Sequence, residues 1–392
     1  TNAMADETER VDDESLGLIL QGVRRLVDDV LIPAEAETDA NRQIAPEIIA
    51  QMREFGLFGL SVPAAYGGLG LTMAQEAAVV FELCRASPSF RSLIGTTVGV
   101  GGKSIAIDGT DAQKDRYLPR IAQGGLIVSF CLTEPGSGSD AAGLVTNAKR
   151  DGPDWVINGT KRFISNAPAA GLFTVMARSD PGSRGSKGVS AFLVDADTPG
   201  IDVQPVWNKM GQHGASVADV VFEDVRIPGD ALLGGREGQG FRTAMKVLDG
   251  GRIHIAAVAV GLATRLIEEA TAYATERKQF GEPLAQFQLI QGMLADSEAD
   301  RLAARALVET TARNADAGQD VRRQAAAAKL FATEACWRIA DRAVQIHGGY
   351  GYMRDYPVER LFRDARLLRL FEGTSQIMQV VIARNLLEEN SS

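Results

Sequence analysis

A chain of 392 residues, with 45% hydrophobic and 23% charged residues, needs more than one hydrophobic core and has the make-up of a soluble globular protein. Its formal net charge of -9 argues against nucleic acid or an anionic lipid surface as the main partner, because either would repel it. Three isolated cysteines (Cys84, Cys131, Cys336) and three scattered histidines (His213, His254, His347) supply neither a disulfide framework nor a metal-ligand spacing.

The chain after Met4 opens on acidic residues rather than the basic and apolar start of a signal peptide, so a cytoplasmic protein is expected; Thr1 to Ala3 read as a tag remnant. Ser15 to Val30 carries apolar residues at helical spacing, and Pro33 is expected to end that helix. Ile48 to Phe55 and Ala74 to Cys84 read as further helices, with a loop at Ala64 to Gly68. Gly99 to Ser104 tempts a phosphate-loop reading, but Thr97 stands where that motif needs glycine, so a flexible loop with a helix start is expected. The most apolar stretch, Ile253 to Ala263, is too short to cross a bilayer, which takes about 20 residues.

From Gly125 to Leu233 the pattern turns to strands: Leu126–Leu132, Leu172–Ala177, Val189–Val194 and Asp219–Val225. Asn158-Gly159, between two strand-like runs, predicts a hairpin turn there. The last third is helical, with breaks at Gly281-Glu282-Pro283, at Asp316 to Asp320 and at Gly348-Gly349, and four long helices suggest a bundle. The expected organisation is mainly α with a central β domain: helices over 14–124, a β-barrel or sandwich over 125–233 and a four-helix bundle over 234–392.

Two segments are rich in groups that do chemistry. Phe130 to Asp140 runs a strand into a turn of small and hydroxyl residues, where glycine allows close backbone approach to a flat ring and Thr133, Ser137 and Ser139 can donate hydrogen bonds. Gln345 to Gln376 mixes glycines and aromatics with alternating charges and sets Glu372 behind an apolar run; a carboxylate in an apolar site suits proton abstraction. Each segment by itself reads rather as something plainer: the first as an ordinary Pro-Gly turn, the second as a solvated glutamate before a helix N-cap at Thr374 or Ser375. No GxGxxG follows a strand, so a Rossmann site is not expected.

Cys131 to Asp140, Lys209-Met210-Gly211, Val221 to Val225, Arg277 with Phe280-Gly281, Gln345 to Gly351 and Phe371 to Gln376 together, in order and spacing, resemble the acyl-CoA dehydrogenase family from about Leu16 to Leu387. The resemblance implies FAD held between the β domain, the C-terminal bundle and a neighbouring subunit. It implies cofactor contacts from Phe130, Leu132, Thr133, Gly138, Ser139, Phe163, Ile164, Ser165, Thr374 and Gln376. Arg277, Phe280, Phe287, Gln288, Gln345, Gly348 and Gly349 would serve the phosphate and adenosine end across a subunit boundary. Substrate contacts fall on Ser139, Asp249, Arg252 and Gly373, and the catalytic base on Glu372.

A minority of relatives take the base from the helix carrying Asp249, but the corresponding residue here is Gly251, which favours Glu372. Electron-transfer flavoprotein as acceptor, a homotetramer and a place in fatty-acid β-oxidation are further implications. An acyl-CoA oxidase on the same scaffold is the competing expectation. Departures from the family pattern are Phe163 where tryptophan is frequent, His213 for arginine, Ala218 for threonine and Phe371 for tyrosine. The acyl pocket is expected around Leu93 to Ile105 and Tyr350 to Tyr352, with Gly95, Gly99 and Gly101 leaving room.

Overall fold

The computed structural model describes residues 11–183 and 185–389; the acidic start and the tripeptide before Met4 lie outside them. Seven α-helices come first: α1 (Asp13–Leu26), α2 (Ile32–Asn41), α3 (Pro46–Glu54), α4 (Met73–Leu83), α5 (Pro88–Gly95), α6 (Gly102–Asp108) and α7 (Asp111–Ala122). Their core gathers Met52, Leu57, Phe58 and Phe90. Contrary to expectation, Pro33 does not end the first helix. A π-helical turn, Val27–Leu31, joins α1 to α2, and Pro33 falls in the first turn after it. The register change at that turn removes the need for the N–H that proline lacks.

The stretch expected to be a loop is also helical. Thr96–Gly101 forms a second π-helical turn linking α5 to α6. Its glycines serve close packing: a Cβ at Gly101 would stand 2.7 Å from Val128 Cγ1, and one at Gly102 2.4 Å from the Thr97 carbonyl oxygen.

The middle of the chain is one curled sheet of β1 (Val128–Cys131), β2 (Asn147–Asp151), β3 (Asp154–Ser165), β4 (Leu172–Arg178), β5 (Val189–Asp195), β6 (Ile201–Val203) and β7 (Val217–Ile227). Its order is β1-β4-β2-β3-β7-β6, with β5 also on β4. β4 and β5 are buried almost throughout, which explains their unbroken apolar runs. Trp155, Phe173, Phe192 and Phe222 form the sheet core, with Trp155 edge-on to Phe192 at 5.2 Å.

The predicted hairpin at Asn158-Gly159 is absent. The turn is Gly152-Pro153, and β3 runs straight through Asn158. There the register against β7 slips, Gly159 adopts φ 151°, and Asn158 exchanges hydrogen bonds with Asp224. A dipeptide that tolerates unusual φ serves a bulge as readily as a turn.

The C-terminal third holds α8 (Gly240–Glu276), a short β8–β9 hairpin (Lys278–Gln279, Glu282–Pro283), α9 (Gln288–Asp316), α10 (Arg322–His347), α11 (Pro357–Leu367) and α12 (Ser375–Glu389). α8, α9 and α10 pack on one another and α12 on α10. Alanines such as Ala256, Ala259, Ala328 and Ala332 line their core. α8 corrects the expectation about membrane spans: it is long and apolar enough to cross a bilayer, yet 78% of its most apolar window is buried inside the protein.

A buried polar junction ties the three regions together. Glu35 on α2 meets Arg360 of α11 at 3.0 Å and accepts from the Ser87 backbone at 2.8 Å. Asp39 meets Arg363 at 3.0 Å and His213 at 2.9 Å. Asp364 accepts from Ser87 Oγ at 2.6 Å and from the Gln212 backbone N–H.

Burial pushes the Asp364 carboxyl up to about 6. The folded protein therefore holds a proton that the unfolded chain releases, and stability contributed by Asp364 falls as pH rises from about 4 through 6. Asp364→Asn keeps an acceptor and a donor there without the ionisation. Its melting temperature relative to wild type should rise across that window, by an amount of order 2 kcal/mol in stability. Melting curves between pH 4.5 and 8 that run parallel for the two proteins would contradict this.

Candidate active site

Glu372 lies in the connection between α11 and α12. Its φ is 52°, and Gly373 follows at 96°, so two successive residues occupy the left-handed half of backbone space. The turn carries the carboxylate onto α8. A Cβ added at Gly251 would stand 2.2 Å from Glu372 Oε2, which is buried and has no hydrogen-bond partner among the described residues. A larger residue there would require the carboxylate to move. Asp249 and Arg252, the predicted substrate residues, flank the same place with a 2.6 Å ion pair. Burial raises the Asp249 carboxyl above its ordinary value, and the Arg252 Nε–H is buried without an acceptor.

Helix α10 grips this connection at three points. Lys329 Nζ donates to the Gly373 carbonyl at 2.6 Å. Glu334 accepts from Ser375 Oγ at 2.6 Å and from Arg369 Nε at 2.8 Å. Thr374 caps α12 by accepting from the Ile377 N–H at 3.2 Å, while Gln376 is exposed.

On the sheet, a second register slip in β3, between Lys161 and Ile164, turns Phe163 outward at φ 56° with 57% of its surface exposed. A bulge of this kind re-aims a side chain. Asp219 stabilises it by accepting from the Phe163 N–H at 3.1 Å, Arg162 at 3.0 Å and the Trp207 indole N–H at 2.9 Å. The Trp207 ring lies 5.4 Å from Phe163, so an indole stands beside this site from another part of the chain.

The Phe130–Asp140 segment is anchored by a buried Lys161–Glu134 pair at 2.8 Å, with Lys161 Nζ also donating to the Leu132 carbonyl. Arg162 N–H donates to the Thr133 carbonyl at 2.8 Å. Gly138 and Ser139 are left exposed beyond it, while Ile164 is buried and Ser165 half-buried.

The adenosine-end candidates gather elsewhere. Arg277, Gln345, Gly348 and Gly349 line a cavity of about 520 Å³, and Arg277 lies over the Tyr350 ring at 5.2 Å. Phe280 and Phe287 lie against each other at 6.0 Å beside it in sequence, with Phe280 95% exposed at φ 54°, and Gln288 opens α9. No residue of the Phe130–Ser139 strand lines that cavity. Seven non-glycine residues among those described have positive φ, and three of them are Phe163, Phe280 and Glu372. Backbone strain therefore concentrates where chemistry was expected.

The expected room at Gly95 and Gly99 is not there. The buried Arg91 side chain fills it, 2.6 Å from a Cβ at Gly95, and hydrogen-bonds His254 at 3.1 Å. Sequence reasoning missed Lys329, Lys161 and Asp219. Lys329 left one usable trace: it lies in phase with the alanines of the buried α10 stripe.

Models of the N-terminal, middle and C-terminal domains of acyl-CoA dehydrogenase match residues 13–125, 129–225 and 238–387. The chain is a member of the acyl-CoA dehydrogenase family. It is 41% identical over 367 residues to the acryloyl-CoA reductase (NADH) of Anaerotignum propionicum, covering 93% of this chain and 92% of that one. A caffeyl-CoA reductase–Etf complex subunit of Acetobacterium woodii is 38% identical over 353 residues, 90% and 93% of the two chains. Butyryl-CoA dehydrogenase of Megasphaera elsdenii superposes with a TM-score of 0.92 at 35% identity, covering 95% of this chain and 98% of its own. Like its relatives, this acyl-CoA dehydrogenase family member is an oxidoreductase acting on acyl-CoA.

Gly251→Ala tests the packing at Glu372. A methyl group at that position must displace the carboxylate, and a displacement of about 1 Å costs about 100-fold in rate. Steady-state kinetics should show that loss, while thermal melting stays within a few degrees because alanine suits a helix. Wild-type turnover with an unshifted melting point would contradict the contact.

Proposed function

We propose that this enzyme removes the α-proton and β-hydride of an acyl-CoA thioester to give a trans-2-enoyl-CoA, with Glu372 as the base. The observation that carries this reading is the unpartnered, buried Oε2 of Glu372, held against a glycine on α8 beside Asp249 and Arg252. A carboxylate oxygen without an internal donor among the described residues is one prepared for a proton from outside the chain. Asp249 and Arg252 would receive the CoA-side part of the substrate, and Ser139 and Gly373 would line its approach. The Gly373 region offers backbone groups to the thioester oxygen, where charge develops as the proton leaves.

The residues present suit FAD. Phe163 offers an exposed aromatic face, Ile164 and Ser165 continue the same strand, Phe130 and Leu132 supply apolar surface, and Thr133, Gly138, Ser139, Thr374 and Gln376 supply polar and small surfaces. Arg277, Gln345, Gly348 and Gly349, with Phe280, Phe287 and Gln288 nearby, suit a pyrophosphate and adenosine. FAD, when bound, supplies the two-electron acceptor for the β-hydride. The chain's own task is to orient the thioester, exclude water and hold the proton at Glu372.

Large exposed side chains near the adenosine-end residues, Phe280 at 95%, Leu289 at 86% and Tyr352 at 82%, support a homo-oligomer, here a tetramer, in which neighbours complete each other's cofactor sites. Electron-transfer flavoprotein is the proposed acceptor, supported by the Etf-complex relative. A cytoplasmic enzyme of fatty-acid β-oxidation completes the reading. Two relatives are named as enoyl-thioester reductases, which favours a second reading in which the same site adds hydrogen across the double bond.

Anaerobic addition of straight and branched acyl-CoA esters to the flavin-loaded protein should bleach the flavin with at least one of them. Glu372→Gln should bind that ester and leave the colour unchanged. Bleaching of the variant at the wild-type rate removes Glu372 as base. Rapid oxygen consumption with peroxide formation on re-aeration would identify an oxidase instead.

A further inference from the structure

We infer that Lys329 is a positioning residue for the reaction: its ammonium fastens the turn that carries Glu372. This rests on the reading of Glu372 as base. Lys329 is fully buried in α10, between the core alanines Ala325, Ala328 and Ala332. The one hydrogen bond of its ammonium among the described residues goes to the Gly373 carbonyl at 2.6 Å. An ammonium buried with so little compensation weakens a helix core that methionine or leucine would fill well. Its retention is therefore explained by what it holds.

What it holds is strained. The left-handed pair Glu372–Gly373 points the Gly373 carbonyl toward α10, where Lys329 meets it. Glu334, five residues further along α10, takes Arg369 and Ser375 at the two ends of the same connection. Helix α10 thus fixes the turn on both sides of the carboxylate.

The charged groups that act on Lys329 are Glu372 from the turn, Arg252 from α8, Glu334 from α10 itself and Arg369 from the connection after α11. Glu334 is already engaged with Arg369 and Ser375, and Arg252 with Asp249, and among these groups Glu372 exerts the largest pull toward the charged form. Burial brings the ammonium down to about 8, against the opposing pull of Glu372. It is charged below that pH and loses its hold as pH rises through it.

The test is α-hydrogen exchange in D₂O with acetyl-CoA, which has no β-carbon and so reports the base without any hydride transfer. Wild type, Lys329→Met and Lys329→Gln are compared as flavin-loaded, full-length proteins, with deuterium followed by mass spectrometry between pH 6 and 9.5. Lys329→Met should slow exchange about 10- to 100-fold while acetyl-CoA affinity changes less than about 3-fold. Lys329→Gln, which keeps an N–H donor without the charge, should fall between the two and lose the decline near pH 8.

Both variants exchanging at wild-type rates over the whole range would overturn the role of Lys329. So would a slowing in Lys329→Gln matched by an equal loss of acetyl-CoA affinity with an unchanged pH profile. Wild-type protein that exchanges no faster than Glu372→Gln is a different result, and overturns the base assignment itself.

Discussion

The geometry of this molecule depends on the buried junction among α2, α11 and the loop around Gln212. Glu35, Asp39 and Asp364 bring three carboxylates into one place, and Arg360, Arg363 and Arg265 answer them. Burial still raises the Glu35 carboxyl despite two arginines, so the network is not a free gain in stability. Buried ion pairs commonly break even against apolar packing, and what they offer is a single permitted arrangement. Here that arrangement fixes α11 against both the N-terminal helices and the sheet. The connection bearing Glu372 begins where α11 ends, so the junction sets where the carboxylate starts from.

From that fixed start, two local departures from regular backbone aim the groups that matter. A bulge in β3 turns Phe163 out of the sheet, and a left-handed pair turns Glu372 onto α8. Each departure is held by a polar side chain from a different segment: Asp219 on β7 for the bulge, Lys329 on α10 for the turn. Strain of this kind persists only where the surroundings over-determine it. The same logic accounts for Lys161, a buried cation that anchors the Phe130–Asp140 segment through Glu134 and the Leu132 carbonyl. The two buried lysines do equivalent work on opposite sides of the proposed site.

Much of this was legible in the chain. The helical, strand and helical thirds follow from a change of hydrophobic period, and Glu372, Asp249 and Arg252 do lie together around Gly251. The failures have physical causes. Asn158-Gly159 declares only that unusual φ is tolerated, and whether the chain then reverses or bulges depends on β7, more than 50 residues away. Pro33 stops a regular helix but not one that changes its hydrogen-bond register, and nothing local announces a π turn. Gly95 and Gly99 promise space, but whether Arg91 fills it is a matter of rotamer and packing. Lys161 looks like an ordinary surface charge until its partners are known, and Lys329 shows only its phase with the alanines of α10.

Gly251 links the two possible sources of a base. A carboxylate placed on α8 at that position would need the volume that Glu372 Oε2 occupies, since even a methyl group would come within 2.2 Å of it. The glycine and the glutamate are thus one structural decision rather than two. Moving the base to the helix would require emptying the turn of its side chain, which would leave α10 gripping a connection with nothing to aim. On the proposed reading of Glu372 as base, the buried ammonium at Lys329 fastens an acid carried on a turn rather than on the rigid helix.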